Sequence, residues 1–283
     1  MRHPTTAAAL APLVLLVLSA GGCGTDGVVL DGAPVASPYD GPMSAPVSHA
    51  DRAGVRERSG AAALALECDG RPWDGGGADY DSGLAEVADS PDAALSTWFD
   101  QDPVGHLPTT GYRAERADGD RVLLSYDVGE RTRVAVVVHD GVRDFRGETG
   151  WGVEAWAQCD VSELPAEVSD ALGLEVWTDA DGRRVPTDRV GSRPGPEHCD
   201  WQDITFLETG GREYLRDVDG ELAALTAGRF AADATLPAGA RDTGWSRDGR
   251  RLWLAGDAAY LVSTEEPEDV ERWPASTEPI GCA

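Results

Sequence analysis

The chain of 283 residues contains no lysine and no asparagine, so all 24 of its basic side chains are arginine. The absence of lysine excludes Schiff-base enzymes and lysine-containing phosphate loops, because both need an amine at the reacting centre. Fifty acidic residues give a formal net charge of -26 at pH 7. A surface this acidic repels the phosphate backbone, so the composition also argues against nucleic acid as a partner.

The sequence has few residues for histidine, thiol or metal chemistry. Only His106, His139 and His198 lie in the part that is expected to fold, and the HExxH, GxSxG and CxxC motifs are absent. The sequence therefore predicts no metal site and no cofactor. An enzyme built on this chain would have to use carboxylates alone, and no pair stands out among fifty acids.

The N-terminus has the pattern of a secretory signal. Arg2 and His3 precede an apolar run over residues 7–20, which is shorter than the roughly 18 to 20 apolar residues that span a bilayer. Small residues follow it, and they favour cleavage over retention as a membrane helix. The sequence predicts a signal peptide at residues 1–22 and an exported protein.

The segment Ala20-Gly21-Gly22-Cys23 resembles the lipobox of bacterial lipoproteins. The resemblance implies that Cys23 becomes the mature first residue and carries lipid, which would anchor the protein to the outer face of the cytoplasmic membrane. Ala20 departs from the pattern, since the lipobox usually has leucine there. Ordinary cleavage that leaves a free Cys23 is the alternative.

The chain is predicted to have a lipidated cysteine and flexible tether at 23–54, a first unit at 55–165 and a second unit at 166–283. The tether is rich in glycine, proline, alanine and serine, which bury little apolar surface. The two units are predicted to be a tandem duplication. Thr110-Gly111-Tyr112 in the first matches Thr243-Gly244-Trp245 in the second, and each unit ends in Val-Glu-x-Trp followed by cysteine. Chance similarity in a biased composition is the alternative.

Lipidation of Cys23 would leave four cysteines for disulfides: Cys68, Cys159, Cys199 and Cys282. Four cysteines allow three pairings, and export favours their oxidation. The proposed repeat favours the sequential pairing, Cys68 with Cys159 and Cys199 with Cys282, because each bond would then close its own unit.

The predicted fold class is α+β, with two similar units rich in antiparallel sheet. Hairpins are predicted for residues 122–139 and 251–263, and a third pairs 174–178 with 184–188. Two helices are predicted, one starting at Ser90-Pro91-Asp92 and one over residues 164–172.

Nine tryptophans against four phenylalanines suggest a binding surface, since an exposed indole offers a flat platform to a sugar ring or a partner. Trp73, in a glycine-rich stretch, is the tryptophan most expected to be exposed. His198 and Trp201, in the segment GPEHCDW, are further candidates. A structural role for these residues is the alternative.

The lipobox, the segment GPEHCDW and the segment VERWP at 270–274 together resemble secreted lipoproteins of high-GC Gram-positive bacteria. The resemblance covers residues 55–283 and implies an address and a domain pattern without an activity. The leading hypothesis is a non-enzymatic protein that is anchored to the membrane by lipid and binds an envelope protein or glycan. The alternative is an envelope hydrolase that uses carboxylates.

Overall fold

The computed structural model describes residues 38–48, 54–77, 86–101 and 107–281. These residues form three antiparallel sheets and few helices. The predicted signal peptide, Cys23, His106 and Cys282 lie outside the described residues. Among the residues described, no helix is long and apolar enough to cross a membrane.

The first half of the chain forms one five-stranded sheet with the strand order β1-β5-β4-β3-β2. Its elements are α1 (Val55–Ala65), β1 (Asp74–Gly77), α2 (Pro91–Gln101), β2 (Tyr112–Asp118), β3 (Arg121–Val128), β4 (Arg131–Arg143) and β5 (Thr149–Gln158). The predicted hairpin over 122–139 is confirmed as β3 and β4. Its turn contains Gly129 at a φ of 67°, which glycine adopts without a steric cost.

The predicted helix after Ser90 is confirmed as α2. The Ser90 carbonyl accepts the first helical hydrogen bond from the Ala94 N–H at 2.9 Å, and Pro91 occupies the first position, where its missing N–H costs nothing. Leu95 and Trp98 are fully buried on one face of the helix and pack against the sheet. The core on this side of the sheet is therefore formed in part by the apolar residues that recur on one face of α2.

The opposite face of the sheet is covered by α1 and by residues 38–48. Met43 is buried among alanines of α1, and Arg116 of β2 donates a hydrogen bond to the Gly41 carbonyl at 2.9 Å. Residues 38–48, predicted from their composition to belong to the flexible tether, instead pack on the folded body. The large apolar side chain of Met43 and the arginine contact account for the difference.

The predicted disulfide between Cys68 and Cys159 is confirmed. It ties the segment before β1 to the residue that follows β5, and these two strands are neighbours in the sheet. Cys199 is also in a disulfide. Its partner lies outside the described residues, so the pairing with Cys282 stays a prediction.

The second half forms two four-stranded antiparallel sheets, β6-β7-β8-β9 and β10-β11-β12-β13. Its elements are α3 (Ala166–Ala171), β6 (Glu175–Val176), β7 (Val190–Pro194), β8 (Thr205–Thr209), β9 (Arg212–Arg216), β10 (Arg241–Arg247), β11 (Arg250–Ala255), β12 (Ala258–Ser263) and β13 (Val270–Pro274). The helix predicted over 164–172 is confirmed as α3, and the hairpin over 251–263 as β11 and β12.

The third predicted hairpin is wrong in its second strand. Thr178 and Arg184 form only a single bridge across the turn, and β6 pairs with β7 at residues 190–194. Pro186 accounts for the difference, because it has no N–H to give to a ladder and its carbonyl instead starts a turn that accepts from the Arg189 N–H.

Single bridges join the two sheets of the second half at both edges. Thr178, after β6, exchanges two backbone hydrogen bonds of 2.9 Å with Ser246 of β10, and Tyr214 of β9 bridges Ala275, after β13. The eight strands therefore enclose one core in a closed, barrel-like body. Trp177, Leu207, Leu252 and Leu261 are among the buried residues from the two sheets that meet inside it.

Candidate functional site

A cavity of about 340 Å³ lies where the loop before β1 meets the outer face of the β6–β9 sheet. The side chains that carry its chemistry are Trp73, Asp188, Arg193, Phe206, Glu208 and Glu213. We call this cavity the Trp73 groove. It combines aromatic surface with three carboxylates and one guanidinium.

The strand register brings the sheet residues to one face. Arg193 of β7 lies opposite Phe206 of β8, and Glu208 of β8 lies opposite Glu213 of β9. Directly opposite residues in antiparallel strands project to the same side, with Cβ atoms about 4.5 to 5.5 Å apart. Glu208 also lies opposite Gly191 of β7, its neighbour on the second adjacent strand. Gly191 has no side chain, and this leaves room in the groove.

Trp73 reaches the groove from the first half of the chain. Its backbone N–H donates to the Gln158 carbonyl of β5 at 2.9 Å, so the residue continues the pairing of β1. The indole is half-buried, packing against the core beneath α2 while lining the groove. Leu174, just before β6, does the same beside it. The apolar wall of the groove is therefore fixed by the core of the first half.

The charged wall of the groove is held by Arg193. Its guanidinium lies over the Phe206 ring, 5.4 Å from the centroid, and 3.9 Å from a Glu213 carboxylate oxygen. Burial raises the pKa of Glu213 above its ordinary value, the Glu208 charge raises it further, and Arg193 partly opposes the shift. Glu213 is thus a carboxyl group that keeps its proton to a higher pH than a solvated glutamate.

The raised pKa of Glu213 predicts that Glu213→Gln stabilises the folded protein by an amount that depends on pH. A carboxyl whose pKa is higher in the folded state stabilises the fold below the pKa of the unfolded chain, and this stability is lost as pH rises through the folded pKa. The glutamine of the variant does not titrate. We expect the variant to unfold at a higher urea concentration than the wild type at about pH 8, with the gap closing as pH falls towards about 5. A gap that stays constant across this range would contradict the assignment.

The three residues that were predicted to form a binding surface, Trp73, Trp201 and His198, lie in different positions relative to the Trp73 groove. Trp73 lines the groove, although it is half-buried rather than fully exposed. Trp201 is also half-buried, and its ring lies 6.2 Å from the Phe206 ring, so it supports the groove through Phe206. His198 is exposed in the short turn Glu197–Cys199 and does not line the groove.

Sequence reasoning missed Arg193, Phe206, Glu208 and Glu213. The signal that could have revealed three of them is Gly210-Gly211 between two short runs, 205–209 and 212–216, that contain the strand-favouring residues threonine, phenylalanine and tyrosine. Both glycines have positive φ, at 60° and 71°, as a tight two-residue hairpin requires. Because successive side chains of a strand point to opposite faces, a hairpin with this turn places Phe206, Glu208 and Glu213 on one face of β8 and β9.

Within the described ranges, no three histidine, cysteine or acidic side chains come together in a way that could hold a metal ion. The Trp73 groove therefore offers stacking, hydrogen-bond acceptors and one fixed cation as its chemistry. Comparison with known proteins finds no match to any family model, to any curated protein or to any solved structure.

Proposed function

We propose that the protein is a lipoprotein of the cell envelope that binds a saccharide in the Trp73 groove. The address rests on the predicted signal peptide and on Cys23 at the predicted lipobox, and mass spectrometry of the mature chain tests for the lipid. The binding role rests on the groove itself, which has an apolar wall and converging polar groups around a cavity of about 340 Å³.

The observation that carries the proposal is the pairing of an indole wall with carboxylates across one cavity. The apolar face of a sugar ring packs on an aromatic surface, and its hydroxyl groups donate to carboxylates. Trp73 supplies the surface, while Asp188 and Glu208, both exposed, supply acceptors at the rim. An anionic ligand is disfavoured because three carboxylates surround one arginine.

A second candidate, the carboxylate-dependent hydrolase, is favoured by one observation. Glu213 has a raised pKa and faces Glu208 across neighbouring strands. Glycosidases use such a pair, with one carboxyl protonated as the acid and the other ionised. We prefer the binding role because Arg193, 3.9 Å from Glu213, opposes the upward pKa shift that a general acid depends on, whereas binding needs no protonated carboxyl.

Trp73→Ala tests the binding role. We expect affinity for the preferred member of a panel of neutral and N-acetylated oligosaccharides to fall about tenfold or more, since the variant removes the stacking surface. Calorimetry with the full chain measures it. The matched control is Trp253→Ala, which removes another half-buried indole, in β11, outside the groove. Equal losses in the two variants, or no binding by the wild type, would contradict the proposal.

The same panel separates binding from hydrolysis. Under the binding proposal, products do not accumulate over many hours, and Glu213→Gln changes affinity rather than turnover. Turnover that is abolished by both Glu213→Gln and Glu208→Gln would favour the hydrolase.

We also propose that the two halves of the chain arose by tandem duplication, and two features support this. The strand order β1-β5-β4-β3-β2 of the first half is matched by β9-β13-β12-β11-β10, in which β9 meets the end of β13 through a single bridge. Gly111 and Gly244, at matching places in the repeat, both have positive φ, at 84° and 78°. The second half adds β6, β7 and β8, which have no counterpart in the five-stranded sheet. Superposition of strands β2–β5 on strands β10–β13 tests the duplication.

A further inference from the structure

One open end of the barrel-like body forms a second cavity, of about 290 Å³. Strands β6, β8, β11 and β13 begin at this cavity, and strands β9 and β10 end at it. Its lining residues therefore lie at one end of the barrel-like body. We call it the barrel mouth. It lies inside the barrel end, whereas the Trp73 groove lies on the outer face of the β6–β9 sheet.

The barrel mouth is unusual for its arginines. Arg216, Arg247 and Arg250 line it beside Glu175, Asp248 and Glu271, so its lining is electrically balanced. The chain as a whole carries about two acidic residues for each arginine. A neutral cavity in so acidic a protein is a place where an anion can approach without the repulsion that it meets elsewhere.

Two of the arginines are held by the protein itself. Arg247 contacts Glu175, and it donates to the Ser192 hydroxyl at 3.0 Å and to Asp248 at 2.7 Å. Arg250 donates to Asp269 at 2.9 Å. These guanidinium groups therefore form part of the wall of the cavity.

Arg216 differs, because its side chain makes no hydrogen bond within the part of the chain that the structure describes. Its nearest carboxylate oxygen, on Glu271, is 3.7 Å away, beyond hydrogen-bond distance. Its guanidinium carbon lies over the Phe230 ring, 5.4 Å from the ring centroid, and 40% of its side chain is exposed. A guanidinium that has unused donors and contacts an aromatic ring on one side can bind a carboxylate in a bidentate manner.

The Glu271 carboxylate is shared between the two arginines, because its oxygens lie 3.7 Å from Arg216 and 3.7 Å from Arg250 without a hydrogen bond to either. It accepts a hydrogen bond of 2.8 Å from the Trp273 indole. Trp177 donates its indole N–H to Ser192 at 3.1 Å. Both indole N–H groups are thereby satisfied, and the base of the cavity is apolar, with Leu261 beside the two rings.

We propose that the barrel mouth binds a small organic monocarboxylate, with the carboxylate on Arg216 and the apolar body towards Leu261 and Trp273. A single negative charge matches Arg216, the guanidinium of the mouth that makes no hydrogen bond to the described residues. A phosphate dianion would bring a second negative charge into a cavity that is also lined by the carboxylates of Glu271, Glu175 and Asp248. Like charges in the same cavity repel one another, so a dianion is disfavoured. The small volume favours a ligand of one ring or a short chain.

Calorimetry on the full chain with phenylacetate, its neutral analogue phenylacetamide, and inorganic phosphate tests the proposal. Phenylacetate is expected to bind about tenfold or more tightly than either of the others. Arg216→Gln is expected to remove this preference. The matched control is Arg251→Gln, since Arg251 also lies on the barrel with 42% of its side chain exposed but is paired with Asp242 and does not line the mouth.

Arg216→Lys guards against a variant that fails to fold, because it keeps the charge and removes the fork. It is expected to bind phenylacetate more weakly than the wild type while unfolding at the same urea concentration. The proposal is overturned if phenylacetate does not bind at about 10 mM, if phenylacetamide or phosphate binds as well, or if Arg216→Gln and Arg251→Gln behave alike.

Discussion

Replacing Cys68 and Cys159 together by serine is expected to lower the free energy of unfolding by about 4.5 kcal/mol. The disulfide closes a loop of 91 positions, and the chain-entropy relation gives this value for the freedom that the unfolded chain would regain. Urea unfolding of the full chain, wild type against double variant, measures the difference. This is a large share of the roughly 5 to 15 kcal/mol typical of a folded domain.

The disulfide variant should also lose affinity in the Trp73 groove. Trp73 follows Cys68 by five positions, and the bond fixes this segment beside the end of β5. Loosening the segment frees the indole that forms the apolar wall. An unfolding free energy within about 1 kcal/mol of the wild type would show that the bond constrains the unfolded chain far less than its loop length implies.

The local parts of the fold could be predicted from the sequence because their signals are local. The helix α2 has its cap, its proline and its apolar face within residues 90–99, and the β3–β4 hairpin turns at Gly129. The disulfide between Cys68 and Cys159 followed from cysteine parity and from the repeat. The helix and the hairpin need only neighbouring residues, and the disulfide needs a count of cysteines together with the order in which they occur.

The closure of the barrel could not be predicted, because it depends on contacts between distant residues. Thr178 bridges Ser246 across 68 positions, and neither residue has a side chain that signals the pairing. The two-residue strand β6 is likewise too short to show the alternation of buried and exposed residues that identifies a strand in a sequence. Residues 38–48 show the same limit, since Met43 is buried against helix and sheet residues that lie far from it in the sequence.

The candidate sites could be predicted only in part. Trp73 could be singled out because tryptophan is rare and its neighbours are glycines. Arg193 and Glu213 could not, because each is one among 24 arginines or fifty acids. What distinguishes them is strand register and burial, and Arg216 is distinguished only by the hydrogen bonds that its side chain lacks within the described residues. These properties are fixed by tertiary structure.

Asp160 joins the two halves of the chain beside the Trp73 groove, and its loss is expected to have the second large effect. The side chain is buried and accepts hydrogen bonds from the Thr187 N–H at 3.1 Å, the Thr187 hydroxyl at 2.7 Å and the Ser162 N–H at 2.9 Å. Bonds to a buried charge are stronger than neutral ones, and donors left without an acceptor add a desolvation cost. We expect Asp160→Ala to lower the free energy of unfolding by about 3 kcal/mol.

The effect of Asp160→Ala on binding distinguishes a positioning role from a general loss of stability. Thr187 and Asp188 line the groove, so the variant should weaken saccharide binding under conditions in which it remains folded. Asp179→Ala is the matched control, since Asp179 accepts similar bonds from the Asp181 and Arg183 N–H groups in an exposed turn away from the groove. It should leave affinity unchanged. If Asp160→Ala binds like the wild type, the Thr187 segment is held in place by its other contacts, and the groove does not depend on the joint between the two halves.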